Sequence, residues 1–146
     1  MRALLVISVA LLAIGAEHSN ARAGEEATQD STEYIPTLRE IMTRIELKRS
    51  KLWYSVKLGN WILARYQLGE VKAEFTAARH FHLLPPSAVV GTDNVVALIE
   101  GSIRAKDEKL FEKSFSKMTA ECNNCHKAAG KSFLHVGAPK VSSPLQ

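Results

Sequence analysis

Apolar residues recur at intervals of three and four positions through most of the chain, which is the spacing of amphipathic α-helices. The pattern runs from about residue 34 to about residue 129. It predicts four helices, over residues 34–56, 61–81, 93–105 and 108–129, with the third beginning at Asp93 or Asn94. No strand is predicted.

Residues with special backbone roles mark the boundaries between these helices. Glycine favours the C-terminal end of a helix, proline cannot continue one, and Asn or Asp caps the next one. The residues that end helices are Gly59, Pro85, Pro86 and Gly130, and those that cap the following helices are Asn60 and Asp107. Residues 85–92 are expected to form a connector. Four amphipathic helices with short connections predict an all-α fold, an antiparallel four-helix bundle.

The N-terminus has the pattern of a secretory signal peptide. Arg2 supplies a positive start, residues 3–16 are an almost unbroken apolar run, and residues 21–23 read Ala-Arg-Ala, a small-X-small cleavage site. The run is short for a membrane span, so an uncleaved anchor is the weaker alternative. Cleavage leaves residues 24–146 as a single helical-bundle domain, with no integral membrane segment expected.

Charge and size exclude some classes of function. Removal of residues 1–23 takes away Arg2, Glu17 and Arg22 and lowers the formal net charge from +4 to +3. No cluster of Lys and Arg with interleaved aromatic residues is present, so a nucleic-acid partner is not expected. The remaining chain of about 123 residues is large enough for one core and too small for a second.

The sequence Cys122-Asn123-Asn124-Cys125-His126 carries the strongest chemical signal. Cys-X-X-Cys-His is the attachment sequence for c-type haem. The two thiols add to the porphyrin vinyl groups, and the histidine becomes an axial ligand of the iron. The chain is therefore predicted to carry one covalent haem c on its last helix, bound by Cys122, Cys125 and His126, with His126 as proximal iron ligand. The export signal agrees, because bacteria attach haem outside the cytoplasmic membrane.

Three alternatives exist for the two cysteines. A zinc site needs about four ligands, and the remaining histidines, His18, His80, His82 and His135, supply no second cluster. A thioredoxin-like dithiol follows a strand in a βαβ unit, whereas this motif lies in a helical pattern. A disulfide that closes so tight a loop adds little stability and gives the adjacent histidine no role. Haem attachment is the prediction.

The place of the motif in the chain separates two kinds of c-type cytochrome. In small cytochromes c with a loose helical wrap, the motif comes near the N-terminus. Here it comes on the last helix, and in this respect the chain resembles the cytochrome c′ superfamily. The resemblance implies that the haem lies along the final helix and that the first helix faces its distal side. It also implies a homodimer paired through the outer faces of the first two helices.

A closer resemblance is to a set of small bacterial c-type cytochromes, most of them uncharacterised. They share Lys-Leu-Trp, seen here as Lys51-Leu52-Trp53, followed by Asn-Trp-X-Leu-Ala-X-Tyr, seen here at residues 60–66. They also share Cys-Asn-X-Cys-His-X-Ala, seen here at residues 122–128. A histidine is common in these relatives where this chain has Arg49. The resemblance implies a fold and a cofactor and names no physiological reaction.

A second iron ligand has to come from another helix. Met42 lies on the apolar stripe of the first helix, where methionine-ligated relatives of cytochrome c′ carry their ligand, and is the candidate distal ligand; the alternative is a core filler. Met118 lies eight residues before His126 on the same helix and is expected in the core. His80 and His82 are expected at surface or capping positions and His135 in the tail. Core aromatic residues are expected at Trp53, Trp61, Tyr66 and Phe75.

The coordination of the iron separates the functions that follow. With His126 and Met42 both bound, the protein is a periplasmic one-electron carrier between redox partners, which is the function we expect. With an open distal site lined by Leu38, Met42 and Ile45, it binds small gases such as NO or CO in the manner of cytochrome c′. A peroxidase needs a distal acid/base pair, for which Arg49 is the only evident residue. An enzyme is therefore not expected.

Overall fold

The computed structural model describes residues 34–140. They form four helices: α1 (Leu38–Lys57), α2 (Trp61–His80), α3 (Pro86–Ala105) and α4 (Glu108–Ala128). No strand occurs in this part of the chain, and the predicted all-α class with four helices is confirmed for it. The predicted signal peptide, residues 1–23, lies outside the described residues.

Ion pairs between helices show that neighbouring helices run in opposite directions. Arg44 of α1 pairs with Glu74 of α2, and the later Lys48 pairs with the earlier Glu70. The same order is seen in Lys72–Glu100 and Arg79–Asp93 between α2 and α3, and α1 meets α4 through Lys57–Glu108. Helix α1 thus packs against both α2 and α4, as expected for an antiparallel four-helix bundle.

Two of the four helices, α2 and α4, start where the sequence signals predict. Asn60 and Asp107 cap α2 and α4 as predicted, because their side-chain oxygens accept from the backbone N–H groups three residues later at 3.0 and 2.9 Å. Helix α1 starts at Leu38, later than the predicted residue 34. Thr37 is its N-cap and forms a capping box with Glu40.

The prediction for the start of α3 is wrong. The helix begins at Pro86 and includes most of residues 85–92, which were expected to form a connector. Proline is well tolerated at the first position of a helix, since the N–H that it lacks has no partner there and its fixed φ suits the helix. The double proline therefore ends α2 and starts α3 at once. As a result, α3 has two additional turns, and these contribute to the candidate site.

The core lies along the whole bundle and is richest in aromatic residues where α1 meets α4. The ring of Trp53 lies 4.8 Å from the ring of Phe115 and 6.0 Å from that of Phe111, measured between centroids. Phe75 is also buried. Tyr66, expected in the core, is instead 61% exposed, because it falls on the outer face of α2 with Ile62.

Within residues 34–140, no helix is both long and apolar enough to cross a membrane.

Candidate functional site

The three side chains of the motif lie on one face of the last turns of α4. Cys122 and Cys125 are three residues apart and His126 is four from Cys122, so their side chains are neighbours along the helix surface. Both thiols are free and partly buried. Burial raises the pKa of the Cys122 thiol to about 11, and it raises the pKa of the Cys125 thiol as well. Both thiols are therefore neutral at neutral pH.

These three side chains line a crevice between the helices, which we call the motif crevice. Helix α1 contributes Met42 and Ile45 to its wall, and α2 contributes Phe75. The enclosed space is about 50 Å³ and its lining is mostly apolar. The antiparallel arrangement explains this meeting, because it brings the start of α1 to the end of α4. The candidate ligand Met42 and the motif thus share one crevice.

Helix α3 presents small side chains to the crevice. Ala88, Thr92 and Val95 lie in its wall, at helical spacing. Gly91 lies among them, and a Cβ atom placed there would overlap the carboxylate of Glu121 on α4. The wall opposite the cysteines is therefore formed by small side chains. Glu121 is only partly buried, so its side chain can turn towards solvent and widen the crevice.

The imidazole of His126 is held by a hydrogen bond. Its Nδ1 lies 2.7 Å from the carbonyl oxygen of Leu134. A carbonyl oxygen only accepts, so Nδ1 carries the proton in the neutral ring. This tautomer leaves the lone pair of Nε2 available to a metal.

The acceptor Leu134 belongs to residues 131–140, a non-helical segment that we call the strap. Asn123, inside the motif, binds the backbone of Val136 twice: its Nδ2 donates to the carbonyl at 2.9 Å, and its Oδ1 accepts from the N–H at 2.8 Å. The phenol of Tyr54 on α1 donates to the carbonyl of Pro139 at 3.3 Å. The tail thus returns over α4 and α1.

Arg49 is the other residue that holds the strap. Its Nη2 donates to the carbonyl of Gly137 at 2.8 Å, and its Nη1 donates to Thr119 on α4 at 3.3 Å. Glu46 pairs with the same guanidinium, whose centre lies 5.0 Å from the centroid of the Phe115 ring. Arg49 is only 1% exposed and does not line the motif crevice. Its N–H groups are already bound to Gly137, Thr119 and Glu46. Arg49 is therefore poorly placed to act as the acid/base residue of a peroxidase.

The other predicted residues lie outside the crevice wall, apart from Met118. Met118 is fully buried, as expected, and reaches the crevice from α4. His80 and His82 are exposed at the end of α2, as predicted, and His135 is exposed in the strap. Sequence reasoning missed Gly91, Asn123 and Leu134. The part of Asn123 could not be read from sequence, because its partner is a backbone group thirteen residues away.

Within residues 34–140, no three side chains of His, Cys, Asp or Glu cluster as a site for a metal ion. A haem iron differs from such a metal, because the porphyrin supplies most of its ligands and the protein only one or two. No protein-family model, curated protein or solved structure matches the chain.

Proposed function

We propose that the protein is an exported c-type cytochrome that carries single electrons, with one haem c bound by Cys122, Cys125 and His126. The observation that supports this best is the convergence of these three side chains on one apolar crevice that also contains the thioether of Met42. A Cys-X-X-Cys-His sequence alone is short. Its position on a helix face, towards a crevice between facing helices, is where bundle proteins hold cofactors.

The residues of the crevice fit the group in three respects. The two cysteines lie on the same side of α4 as His126, so one flat ring can meet all three. Nε2 of His126 has its lone pair free, since Nδ1 donates to Leu134. The lining is mostly apolar, and α3 contributes the small side chains of Ala88 and Thr92 to it. A porphyrin needs far more than the present space of about 50 Å³, so its binding would require Glu121 to turn outward and the crevice to widen beside Gly91.

Each residue then has a defined task. Cys122 and Cys125 supply the S–H groups that add across the two vinyl bonds, which tethers the ring without a leaving group. His126 would supply a nitrogen ligand to the iron, and the apolar side chains of Ile45 and Phe75 would keep water away from it. Bound haem supplies an iron that changes its oxidation state by one electron. The thioether of Met42, as a second ligand, would favour the reduced state and raise the potential.

A dithiol redox centre is less well supported by the same geometry. Reactive Cys-X-X-Cys thiols lie at helix N-termini, where the helix dipole lowers their pKa. Here the motif lies at the C-terminal end of α4. Burial moreover raises the pKa of both thiols. The position of the motif and the raised thiol pKa values therefore both argue against a reactive dithiol.

The full chain should be expressed with a cytochrome c maturation system and purified from the exported fraction. We expect covalent haem that survives denaturing electrophoresis, the haemochrome spectrum of two thioether bonds, and an N-terminus at Gly24. Cys122→Ala and Cys125→Ala should each shift that spectrum towards a single thioether. Asn124→Ala, an exposed position within the motif, should leave it unchanged. Absence of covalent haem in the unmodified protein would refute the proposal.

Gas binding is a second candidate, supported by the apolar residues Ile45 and Phe75, which line the crevice together with Met42. Spectra of oxidised, reduced and CO-treated protein separate the two. Sharp α and β bands that CO does not change indicate a six-coordinate carrier, and Met42→Ala should then make the iron accessible to CO. The control Met118→Leu conserves the volume of a buried methionine and should not do so. A high-spin spectrum that CO shifts in the unmodified protein would favour gas binding.

A further inference from the structure

We propose that the strap, residues 131–140, sets the orientation and the electronic character of His126, and that Asn123 and Arg49 are the positioning residues that hold it. This inference rests on the proposed function, because it concerns the axial ligand of the bound iron. It goes beyond that function by assigning roles to two residues that do not line the motif crevice.

The first step is the contact that the strap makes with the motif. The carbonyl of Leu134 accepts from Nδ1 of His126 at 2.7 Å, and no other hydrogen bond of the imidazole is found within residues 34–140. A hydrogen bond at Nδ1 fixes the ring plane and makes Nε2 a stronger electron donor. A stronger donor stabilises oxidised iron more than reduced iron. The position of one backbone carbonyl therefore influences the reduction potential.

The second step is how that carbonyl is kept in place. Leu134 is half-exposed and lies in a segment with no helix of its own. Asn123 binds the N–H and the carbonyl of Val136, two residues further on, and so fixes the chain next to Leu134. Asn123 itself is rigid, because it lies in α4 between the two cysteines. Helix α4 therefore carries both His126 and Asn123, the residue that holds the strap next to Leu134.

The strap has a second anchor at Gly137, the residue that follows Val136. Arg49 binds the Gly137 carbonyl with a guanidinium that is nearly inaccessible to solvent. The charge is balanced by Glu46, and the ring of Phe115 covers the guanidinium plane. A buried arginine is retained at considerable desolvation cost, which its hydrogen bonds have to offset. Three elements, α1, α4 and the strap, meet at this one side chain.

The motif supplies its own control. Asn123 and Asn124 are adjacent asparagines in the X-X positions, yet Asn124 is exposed and its side chain makes no hydrogen bond within the part of the chain that the structure describes. Asn123→Ala and Asn124→Ala therefore change the same residue type in the same motif, and only the first releases the strap. Asn123→Asp keeps the acceptor for the Val136 N–H but places a carboxylate oxygen against the Val136 carbonyl, so it should release the strap as Asn123→Ala does.

The experiment compares the haem-loaded variants by two measurements. Amide hydrogen exchange of residues 134–137 reports whether the strap is held, and a potentiometric titration reports the iron. We expect faster exchange in Asn123→Ala and a more positive potential, corresponding to about a tenfold change in the equilibrium between oxidised and reduced protein, ~59 mV for one electron. Asn123→Asp should also speed the exchange, and Arg49→Lys should change both measurements in the same direction as Asn123→Ala. Asn124→Ala should match the unmodified protein.

The outcomes separate this inference from the function on which it rests. Faster exchange without a change in potential would make the strap a purely structural element and overturn the inference, while the haem protein itself would stand. Unchanged exchange in Asn123→Ala would overturn it as well. If the unmodified protein carries no covalent haem, the proposed function fails and the role of the strap as ligand support fails with it.

Discussion

The two ends of the bundle differ in how the space between the four helices is filled. At the end where α1 stops and α4 starts, large side chains such as Phe111 and Leu52 are fully buried, and Trp53 packs against two phenylalanines. At the end with the motif crevice, α3 presents Ala88 and Gly91 instead. One end is filled by its own side chains, and the other has space between its helices.

The difference shows what holds helices together where packing is reduced. Near the motif crevice, Glu74 of α2 binds both Arg44 and Lys48 of α1, at 2.9 and 2.6 Å. Arg49 ties α1 to α4 and to the strap. Polar contacts with fixed geometry replace part of the apolar contact there. The packed end is therefore expected to govern stability, and the other end to govern what the protein binds.

Removal of a large side chain at the packed end should have the largest effect. Phe111 is completely buried, and Phe111→Ala leaves a cavity that costs about 3–5 kcal/mol of unfolding free energy. Leu110, its exposed neighbour on α4, is the control, and Leu110→Ala should change the free energy by about 1 kcal/mol or less. Denaturant unfolding measures both. Equal losses would mean that the packed end does not dominate stability.

Filling the crevice should reduce haem loading without unfolding the protein. Gly91→Leu places a side chain where the carboxylate of Glu121 now lies, and we expect several-fold less covalent haem per chain. Gly101→Leu is the control on the same helix, since a Cβ there meets no atom within 4 Å. Both variants gain helix propensity, about 1 kcal/mol or less. Haem absorbance relative to protein content is the measurement, and equal loading would contradict the assignment of the crevice.

The polar clamp on α1 should appear as a dependence of stability on pH. Burial by itself raises the pKa of Glu74, but hydrogen bonds from Lys48 and Arg44 outweigh it and lower that pKa below its ordinary value of 4.5. A carboxylate with a lowered pKa stabilises the fold above about pH 4.5 and loses this effect as the pH falls. Glu74→Gln should thus be less stable than the unmodified protein at pH 7, and the difference in stability should narrow as the pH falls below 4.5.

The control for this clamp is Glu70→Gln. Glu70 is more exposed than Glu74 and pairs with Lys48 alone, at 3.2 Å. Its removal should have a smaller effect on the pH dependence of the unfolding midpoint. If both variants follow the same pH profile as the unmodified protein, the buried clamp does not contribute to holding α1 in place.

The smallest effect is expected from a helix cap at the packed end. The side chain of Asn60 accepts from the N–H of Leu63, and Asn60→Ala should cost about 1 kcal/mol. Asn94, an exposed residue in the middle of α3, provides a control, because Asn94→Ala removes no cap and slightly favours the helix. Thermal unfolding of the two variants measures the difference, and a cost for Asn94→Ala as large as that for Asn60→Ala would argue against capping.

Much of the fold follows from local signals in the sequence. Asn60 and Asp107 mark helix starts because a cap depends on residues within one turn. The antiparallel order then predicts that Met42 near the start of α1 lies close to the motif near the end of α4. The start of α3 was missed because Pro85 and Pro86 were both interpreted as helix breakers, although the second occupies the one helical position that proline suits.

The support of the site was much harder to predict. Arg49 binds a backbone carbonyl 88 residues away, and no sequence pattern marks a backbone acceptor. Its burial was equally hidden, because a charged residue on a helix is usually exposed. Gly91 was a glycine within an expected connector, so its role in the crevice depended on the missed turns of α3. The sequence pattern therefore identified side chains that lie at regular helical spacing. It did not identify side chains that bind backbone groups far away in the chain.

The closure of the bundle by its first and last elements has a consequence for how the chain folds. The contacts of Arg49 join positions 70 and 88 residues apart, whereas the α1–α2 and α3–α4 hairpins form through short loops. Distant contacts require a large loss of chain entropy before they form, so we expect the hairpins to assemble early and the contacts of Arg49 late. A chain that stops before Leu134 would still fold its hairpins, yet the histidine on its last helix would lack the carbonyl that accepts its hydrogen bond.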